Sequence, residues 1–185
     1  MIGLFGGAFN PPHYGHLELA RRALAEFELE RLEVLVSGDP AHKPVDCPVV
    51  VRVALAELAF ADFPRVDVQA DPYRYTIDRL RAEDPGDAIF LIGADQYRDF
   101  HTWKEPDAVL ERVKLGVATR AGVERPPVPA AHDGGVVFFE IDSPPIASSD
   151  LRARARRGES LDGLVPPAVA LEIARRGLYR SPAVH

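Results

Sequence analysis

The sequence has almost no cysteine. Cys47 is the only one among 185 residues, so no internal disulfide can form and a zinc site built on cysteines is excluded. A chain of this length, 46% hydrophobic, buries roughly 70% of its unfolded surface. It therefore needs neither a disulfide nor a metal ion to fold.

Long apolar runs and an excess of positive charge are also missing. No apolar stretch is long enough to span a bilayer, and the first residues lack the basic segment and apolar run of a signal peptide. With 28 acidic and 22 basic residues the net charge is −6, which argues against broad nucleic-acid binding. We expect a cytoplasmic protein without nucleic-acid or membrane partners, in which any anionic ligand meets positive groups gathered locally.

Apolar strand-like segments alternate with helix-like segments along the chain. Strands are predicted at residues 2–5, 32–38, 65–70, 88–95, 114–120 and 136–141. Helices are predicted from His16 onward and at 49–61, 75–83, 148–158 and 166–177, the last two ended by Gly158 and Gly177. This alternation predicts an α/β fold with a doubly wound, mainly parallel sheet in one domain, residues 1–185. The C-terminal helical part, about 148–180, is expected to pack on it.

The segment "GLFGGAFNPPHYGH" joins the first strand to the first helix, where doubly wound sheets commonly hold phosphate. It matches neither the GxGxxG pattern of dinucleotide-binding proteins nor the P-loop pattern. Because His13 and His16 are three residues apart at the start of a helix, both imidazoles can face one anion and stabilise charge on a phosphate during displacement. The alternatives are a capping histidine or a zinc pair, although no cysteine or acidic third ligand lies nearby.

Several segments together resemble one enzyme family. "GGAFNPPHYGH" is similar to the signature loop of the nucleotidylyltransferase superfamily, with "HYGH" as its HxGH element. "HKP" (42–44), "YTID" (75–78), "LIGAD" followed by Trp103, and residues 146–179 resemble bacterial nicotinate-nucleotide adenylyltransferases in order and spacing. The resemblance covers residues 2–179, nearly the whole chain.

The resemblance implies a reaction and its substrates. Members transfer the adenylyl group of ATP to nicotinate mononucleotide, forming deamido-NAD and pyrophosphate, by in-line attack without a covalent intermediate. Such a reaction needs mainly positioning and charge stabilisation from the protein. Mg²⁺ is implied with ATP, bound through phosphates and waters rather than through a dedicated protein site. A homo-oligomer is possible.

The resemblance also implies roles for particular residues. The catalytic set is His13, His16, Lys43 and Arg152. The implied ATP-binding set is Gly6, Gly7, Ala8, Phe9, His13, His16, Gly93, Asp95, Arg120, Ser148, Ser149 and Arg152. The implied nicotinate mononucleotide set is Lys43, Tyr75, Thr76 and Trp103, in which the indole stacks on the pyridine ring. Ala147 stands where many members have serine and Ser149 where they have threonine, so a hydroxyl contact is in doubt.

Several of these residues also have simpler interpretations. Ser148 and Ser149 precede a predicted helix and suit a plain N-terminal cap, as does Asp95. Lys43 alone is consistent with a solubilising side chain, and Trp103 with half-buried packing. Residues 121–135, rich in proline and glycine, form either a mobile surface loop or a lid.

Two other functions stay open at this point. One is another HxGH enzyme such as a phosphopantetheine adenylyltransferase, against which the "YTID" segment and the spacing from "GAD" to Trp103 argue. The other is a catalytically silent nucleotide-binding module, against which His13, His16, Lys43 and Arg152 argue.

Overall fold

The computed structural model describes residues 1–40, 45 and 47–180. In this part of the chain the central feature is a six-stranded sheet in the order β3-β2-β1-β4-β5-β6. Its strands are β1 (Ile2–Gly7), β2 (Leu32–Ser37), β3 (Val66–Asp71), β4 (Ala88–Gly93), β5 (Lys114–Arg120) and β6 (Val136–Ile141). Every neighbouring pair is parallel, which confirms the predicted α/β fold.

Helices connect the strands and follow the last one. They are α1 (Tyr14–Glu26), α2 (Val49–Phe60), α3 (Thr76–Glu83), α4 (Ala94–Arg98), α5 (Pro106–Leu110), α6 (Ser148–Arg156) and α7 (Pro167–Arg176). The pattern did not predict α4 and α5, because five residues are too few to show a helical period. Among the described residues, no helix combines the length and apolar character needed to cross a membrane.

Each face of the sheet packs on its own hydrophobic core. Phe5, Ile89 and Leu91 point to the core shared with α1, α2, α6 and α7. Leu4 and Phe90 point to the core shared with α3, α4 and α5. Since successive strand residues face opposite sides, a strand covered on both faces must be apolar throughout, as β4 is.

Beyond the carboxyl end of β1 lies the opening loop, residues 8–13. The strand order reverses between β1 and β4, so their carboxyl ends border the crevice where doubly wound sheets bind ligands. The opening loop, the start of α1 and the start of α4 all lie at this edge.

Two helices end at the predicted glycines, whereas the N-terminus of α6 differs from the prediction. Gly158 (φ +71°) and Gly177 (φ +62°) are left-handed, as expected of residues that end helices. Helix α6 begins at Ser148 with Ala147 as its N-cap, so the predicted N-terminal cap by Ser148 and Ser149, placed before the helix, was wrong. The Ser148 hydroxyl makes a different contact, described below.

Candidate active site

Tight packing explains the glycines at the end of β1. A Cβ on Gly6 would lie 2.8 Å from Cζ of Phe90, and one on Gly7 would lie 3.0 Å from Cε2 of Phe9. Phe9 is buried and has φ +46°, which turns the chain sharply into the opening loop. The approach of Gly6, Gly7, Ala8 and Phe9 to a nucleotide stays a prediction.

His13 and His16 lie together, as their spacing predicted. Their ring centroids are 3.8 Å apart, and the backbone N–H of His13, the N-cap of α1, donates to Nδ1 of His16 at 3.2 Å. Gly15 makes room for this pair, because a Cβ there would lie 3.0 Å from both Cε1 and Nδ1 of His13. The HxGH spacing thus has a steric cause: the imidazole of His13 lies over the glycine.

A hydrogen bond sets the tautomer of neutral His16, and burial sets the protonation of His13. His16 accepts through Nδ1, so its neutral ring carries the proton on Nε2, which makes that nitrogen a donor. Burial, helped by the positive charge of Arg120, lowers the pKa of His13 to about 4. His13 is therefore neutral at pH 7, and its Nδ1 has no hydrogen-bond partner among the described residues.

Three side chains fix the carbonyl groups of the opening loop. Arg52 donates from Nη1 to the carbonyl of Ala8 at 2.8 Å. Arg152 donates to the carbonyl of Asn10, and the hydroxyl of Ser148 to that of Pro11, both at 2.9 Å. The negative ends of these peptide dipoles are thus paired with protein donors, which favours a loop suited to an anion.

Arg52 is a functional candidate that the sequence analysis did not identify. Its side chain is fully buried, and it also donates to the carbonyls of Cys47 at 2.9 Å and Gly38 at 3.4 Å. Burial lowers the pKa of Arg52, although Cys47 and Tyr179 oppose the shift. Its helical spacing to Leu55, Ala56 and Ala59, all buried in α2, is the signal that would have placed it inside.

Arg152 and Ser148, predicted to bind ATP, donate to the opening loop in this structure. The bond from Arg152 to Asn10 uses one of five N–H donors of the guanidinium group. Ser149 is exposed in the first turn of α6. Contact of these three residues with ATP stays a prediction.

The ends of β4 and β5 carry the other predicted ATP contacts. Gly93 is the N-cap of α4, and a Cβ there would meet no atom within 4 Å. Capping by Asp95 was therefore wrong: its side chain is 93% exposed and paired with Arg98. Arg120 ends β5, exposed, close enough to His13 for its charge to act there.

The residues predicted for the pyridine ring lie on the other face of the sheet. Tyr75 is the N-cap of α3 and Thr76 its first residue. Trp103 is half-buried, with its ring centroid 6.1 Å from that of Phe90 and 5.2 Å from that of Phe100. Tyr75 and Trp103 border the same core, so the structure brings both to one region.

Ion pairs hold this region together. Lys104 pairs with Asp78 of α3 at 2.7 Å, and its Nζ lies 5.1 Å from the centroid of the Tyr75 ring. The buried Arg79, also missed by the sequence analysis, joins α3 to the sheet. Its partners are Asp71 at 3.4 Å, Glu33 at 3.6 Å and Glu83 at 2.9 Å.

Lys43 lies outside the described residues, so its role stays a prediction. In the loop 121–135, His132 contacts Asp107 at 2.9 Å, and its ring centroid is 5.9 Å from that of Phe100. These contacts join the later part of the loop to α5 and its neighbours.

The described residues offer no group of three or more His, Cys, Asp or Glu side chains able to hold a metal ion. A glycine-rich loop, a helix N-terminus and paired histidines nevertheless lie at the point where the strand order reverses. Fold and site together define a nucleotide-binding α/β protein of the Rossmann-like class.

Comparison with known proteins gives a narrower identity. The cytidylyltransferase-like family model matches residues 4–154. The chain is 37% identical to a probable nicotinate-nucleotide adenylyltransferase of Thermomicrobium roseum, covering 97% of this chain and 92% of the relative. It is also 37% identical to the protein of the same name from Bordetella petrii, covering 97% and 98%.

Solved structures agree on the fold. Plasmodium falciparum nicotinic acid mononucleotide adenylyltransferase complexed with NaAD matches with a TM-score of 0.78 at 14% identity, over 96% of each chain. The same enzyme complexed with APC gives 0.75 at the same identity and coverage. The chain belongs to the cytidylyltransferase-like family and, within it, to the nicotinate-nucleotide adenylyltransferases.

Proposed function

We propose that this protein transfers the adenylyl group of ATP to nicotinate mononucleotide, forming deamido-NAD and pyrophosphate, a step of NAD biosynthesis. The observation that carries the proposal is the close pair of imidazole rings of His13 and His16 at the first turn of α1, with centroids 3.8 Å apart. It lies in a chain 37% identical over nearly its whole length to relatives named for this activity.

The histidine pair suits the reacting phosphate. An oxygen of the nucleotide's 5′-phosphate forms a bond to the α-phosphorus, the bond from that phosphorus to the bridging oxygen breaks, and pyrophosphate leaves. Because Nδ1 of His16 accepts from the backbone N–H of His13, its neutral ring carries the proton on Nε2, and we propose that this proton is donated to an α-phosphate oxygen, where charge grows during transfer. His13 enters as a neutral donor or acceptor and gains a proton more readily once an anion lies beside it.

The start of α6 suits the departing pyrophosphate. Ser148, Ser149 and Arg152 lie in its first turns, where helix N–H groups and the helix dipole favour anions. Arg120 adds positive charge on the side of β5, and Lys43 is proposed to bind phosphate as well. Gly93 and Asp95, at the end of β4, are proposed to contact adenosine.

The region around Trp103 suits a flat ring that carries a carboxylate. The indole offers an aromatic face, while the first turn of α3 offers the Thr76 hydroxyl and backbone N–H groups. We propose that Trp103 stacks on the pyridine and that Tyr75 and Thr76 donate to its carboxylate.

Mg²⁺ enters this proposal as part of the substrate, Mg²⁺–ATP. Because the described residues form no cluster of metal ligands, the phosphates and waters are proposed to supply most of its coordination. The protein's own part is to position the triphosphate and to neutralise its charge.

A substrate panel tests the proposal. The protein is incubated with Mg²⁺–ATP and, separately, with nicotinate mononucleotide, nicotinamide mononucleotide or phosphopantetheine, and pyrophosphate release is followed. A His13→Ala/His16→Ala double variant, purified in parallel, measures contaminating activity. We expect turnover with nicotinate mononucleotide. Turnover with phosphopantetheine alone would overturn the proposal. So would a lack of turnover with all three acceptors.

A further inference from the structure

The chain turns back sharply after α7. The N–H of Gly177 bonds to the carbonyl of Ala174 at 3.1 Å, and that of Leu178 bonds to the carbonyl of Ile173 at 3.0 Å. Gly177 and Tyr179 both have φ +62°. A tyrosine rarely adopts this left-handed conformation unless surrounding contacts hold it there.

A side-chain hydrogen bond joins Tyr179 to the opening loop. Its hydroxyl donates to Oδ1 of Asn10 at 2.7 Å, across 169 positions of sequence. Asn10 is buried, 2% exposed, and follows Phe9, whose φ is also positive. The hydrogen bond therefore connects two stretches of unfavourable backbone conformation.

Asn10 is held on its side chain and on its backbone. Tyr179 bonds to the side-chain oxygen, and Arg152 bonds to the carbonyl at 2.9 Å. Only Pro11 and Pro12 separate Asn10 from His13, and proline restricts the backbone of each step. A shift at Asn10 is therefore transmitted to the position of the His13 ring over Gly15.

We propose that Tyr179 is a positioning residue of the transfer site, which acts through Asn10 to hold the opening loop and the His13 ring in place. The inference rests on the proposed function for its kinetic test. It assigns a role to Tyr179, the last residue of the segment 146–179 that resembles the family. The resemblance itself implied no role for this tyrosine.

The Tyr179→Phe variant tests this by removing one oxygen atom. Tyr97→Phe is the matched control, because the Tyr97 hydroxyl is buried but has no hydrogen-bond partner among the described residues, and its ring packs on the other core. We expect Tyr179→Phe to lower kcat about tenfold, since small misplacements of reacting groups are costly, with little change in the KM for ATP. Tyr97→Phe should leave kcat near wild type.

A double-mutant cycle separates positioning from general stabilisation. If Tyr179 acts through Asn10, the Asn10→Ala/Tyr179→Phe double variant loses no more kcat than Asn10→Ala alone. Losses that multiply, or an unchanged kcat in Tyr179→Phe, would overturn the proposal. So would equal losses of kcat in Tyr179→Phe and Tyr97→Phe.

A readout independent of turnover separates this inference from the proposed function. NMR titration of the histidine rings reports the pKa of His13, which burial now lowers to about 4. Tyr179→Phe should raise this pKa toward the ordinary value, since a loosened loop admits water, whereas Tyr97→Phe should not. If no acceptor is turned over but this shift occurs, the proposed function fails while the positioning role stands. No shift would overturn the role.

Discussion

The two sides of the crevice are built differently. The histidine side comprises residues 8–16 with their donors Arg52, Ser148 and Arg152, and is held by hydrogen bonds from buried or half-buried side chains to backbone carbonyls. The tryptophan side comprises Tyr75 and Thr76, at the start of α3, and Trp103, in the segment before α5. Buried Arg79 ties α3 to the sheet, but the ion pairs between these two segments are the exposed ones of Lys104 with Asp78 and Arg81 with Glu105.

The difference has a physical meaning. Buried hydrogen bonds are costly to break and fix a geometry, whereas an exposed ion pair contributes about 0–1 kcal/mol and weakens with salt. We infer that the histidine side is preorganised for the phosphate chemistry and that the tryptophan side adjusts to the acceptor. Substitutions on the first side should act on kcat, and those on the second should act on KM.

The largest effect is expected at His16. His16→Ala removes the Nε2 donor and the acceptor for the His13 N–H, so kcat should fall about a hundredfold or more. The measurement is steady-state pyrophosphate release at saturating substrates. His101→Ala, at an exposed histidine beyond α4, is the matched control. A kcat near wild type in a folded His16→Ala protein would refute the phosphate role of His16.

The pH dependence of stability tests the burial of His13. Its pKa is about 4 in the folded protein against 6.5 for the unperturbed group, so unfolded chains bind the extra proton between these values. Neutral His13 therefore contributes stability above pH 6.5 that is lost as the pH falls toward 4. From pH 7 to pH 5 this one residue should cost about 2 kcal/mol of unfolding free energy.

Urea unfolding at both pH values measures that cost. His13→Gln cannot titrate, so it should lose less stability than wild type over the same pH interval, while other groups change equally in both proteins. Identical pH dependence in the two would mean that His13 is hydrated and that the histidine side is less closed than the structure indicates.

The sequence predicted the parallel sheet, the helix stops at Gly158 and Gly177, and the closeness of His13 and His16. These depend on local periodicity, on single conformational preferences and on a three-residue spacing within one helical turn. Arg52 and Arg79 were missed because a charged residue inside a helix is usually exposed, and their buried positions depend on tertiary contacts with the carbonyl of Ala8 and with Asp71 and Glu33.

The contacts that fix the opening loop could not be derived from spacing. Ser148 and Arg152 donate to carbonyls 137 and 142 positions away, and the positive φ of Phe9 depends on tight packing. The sequence therefore indicated which residues meet at the crevice, but not that the protein holds its loop with some of the groups predicted for ATP.

A smaller effect, of a different kind, is expected at Trp103. Trp103→Ala removes the aromatic face, so the KM for the pyridine nucleotide should rise about tenfold while the KM for ATP stays within about twofold of wild type. Trp103→Phe keeps a ring against Phe90 and Phe100 and should recover most of the loss. If kcat falls and KM does not change, Trp103 supports the fold or the chemistry instead of binding the acceptor.

The smallest effect, and the most direct test of the comparison, is expected at Lys104. Lys104→Gln breaks the exposed pair with Asp78, so the unfolding free energy should change by less than about 1 kcal/mol. Because Lys104 follows Trp103 and Asp78 lies in the first turn of α3, the KM for the pyridine nucleotide should rise about twofold to threefold at unchanged kcat. Concentrated NaCl should reduce the difference between wild type and variant.

The control is Arg175→Gln, which breaks a similar exposed pair with Glu172 on α7 and should leave kcat and the KM for the pyridine nucleotide unchanged. If Lys104→Gln lowers kcat as strongly as Tyr179→Phe, the two sides of the crevice are mechanically coupled, and the division between fixed chemistry and adjustable recognition fails.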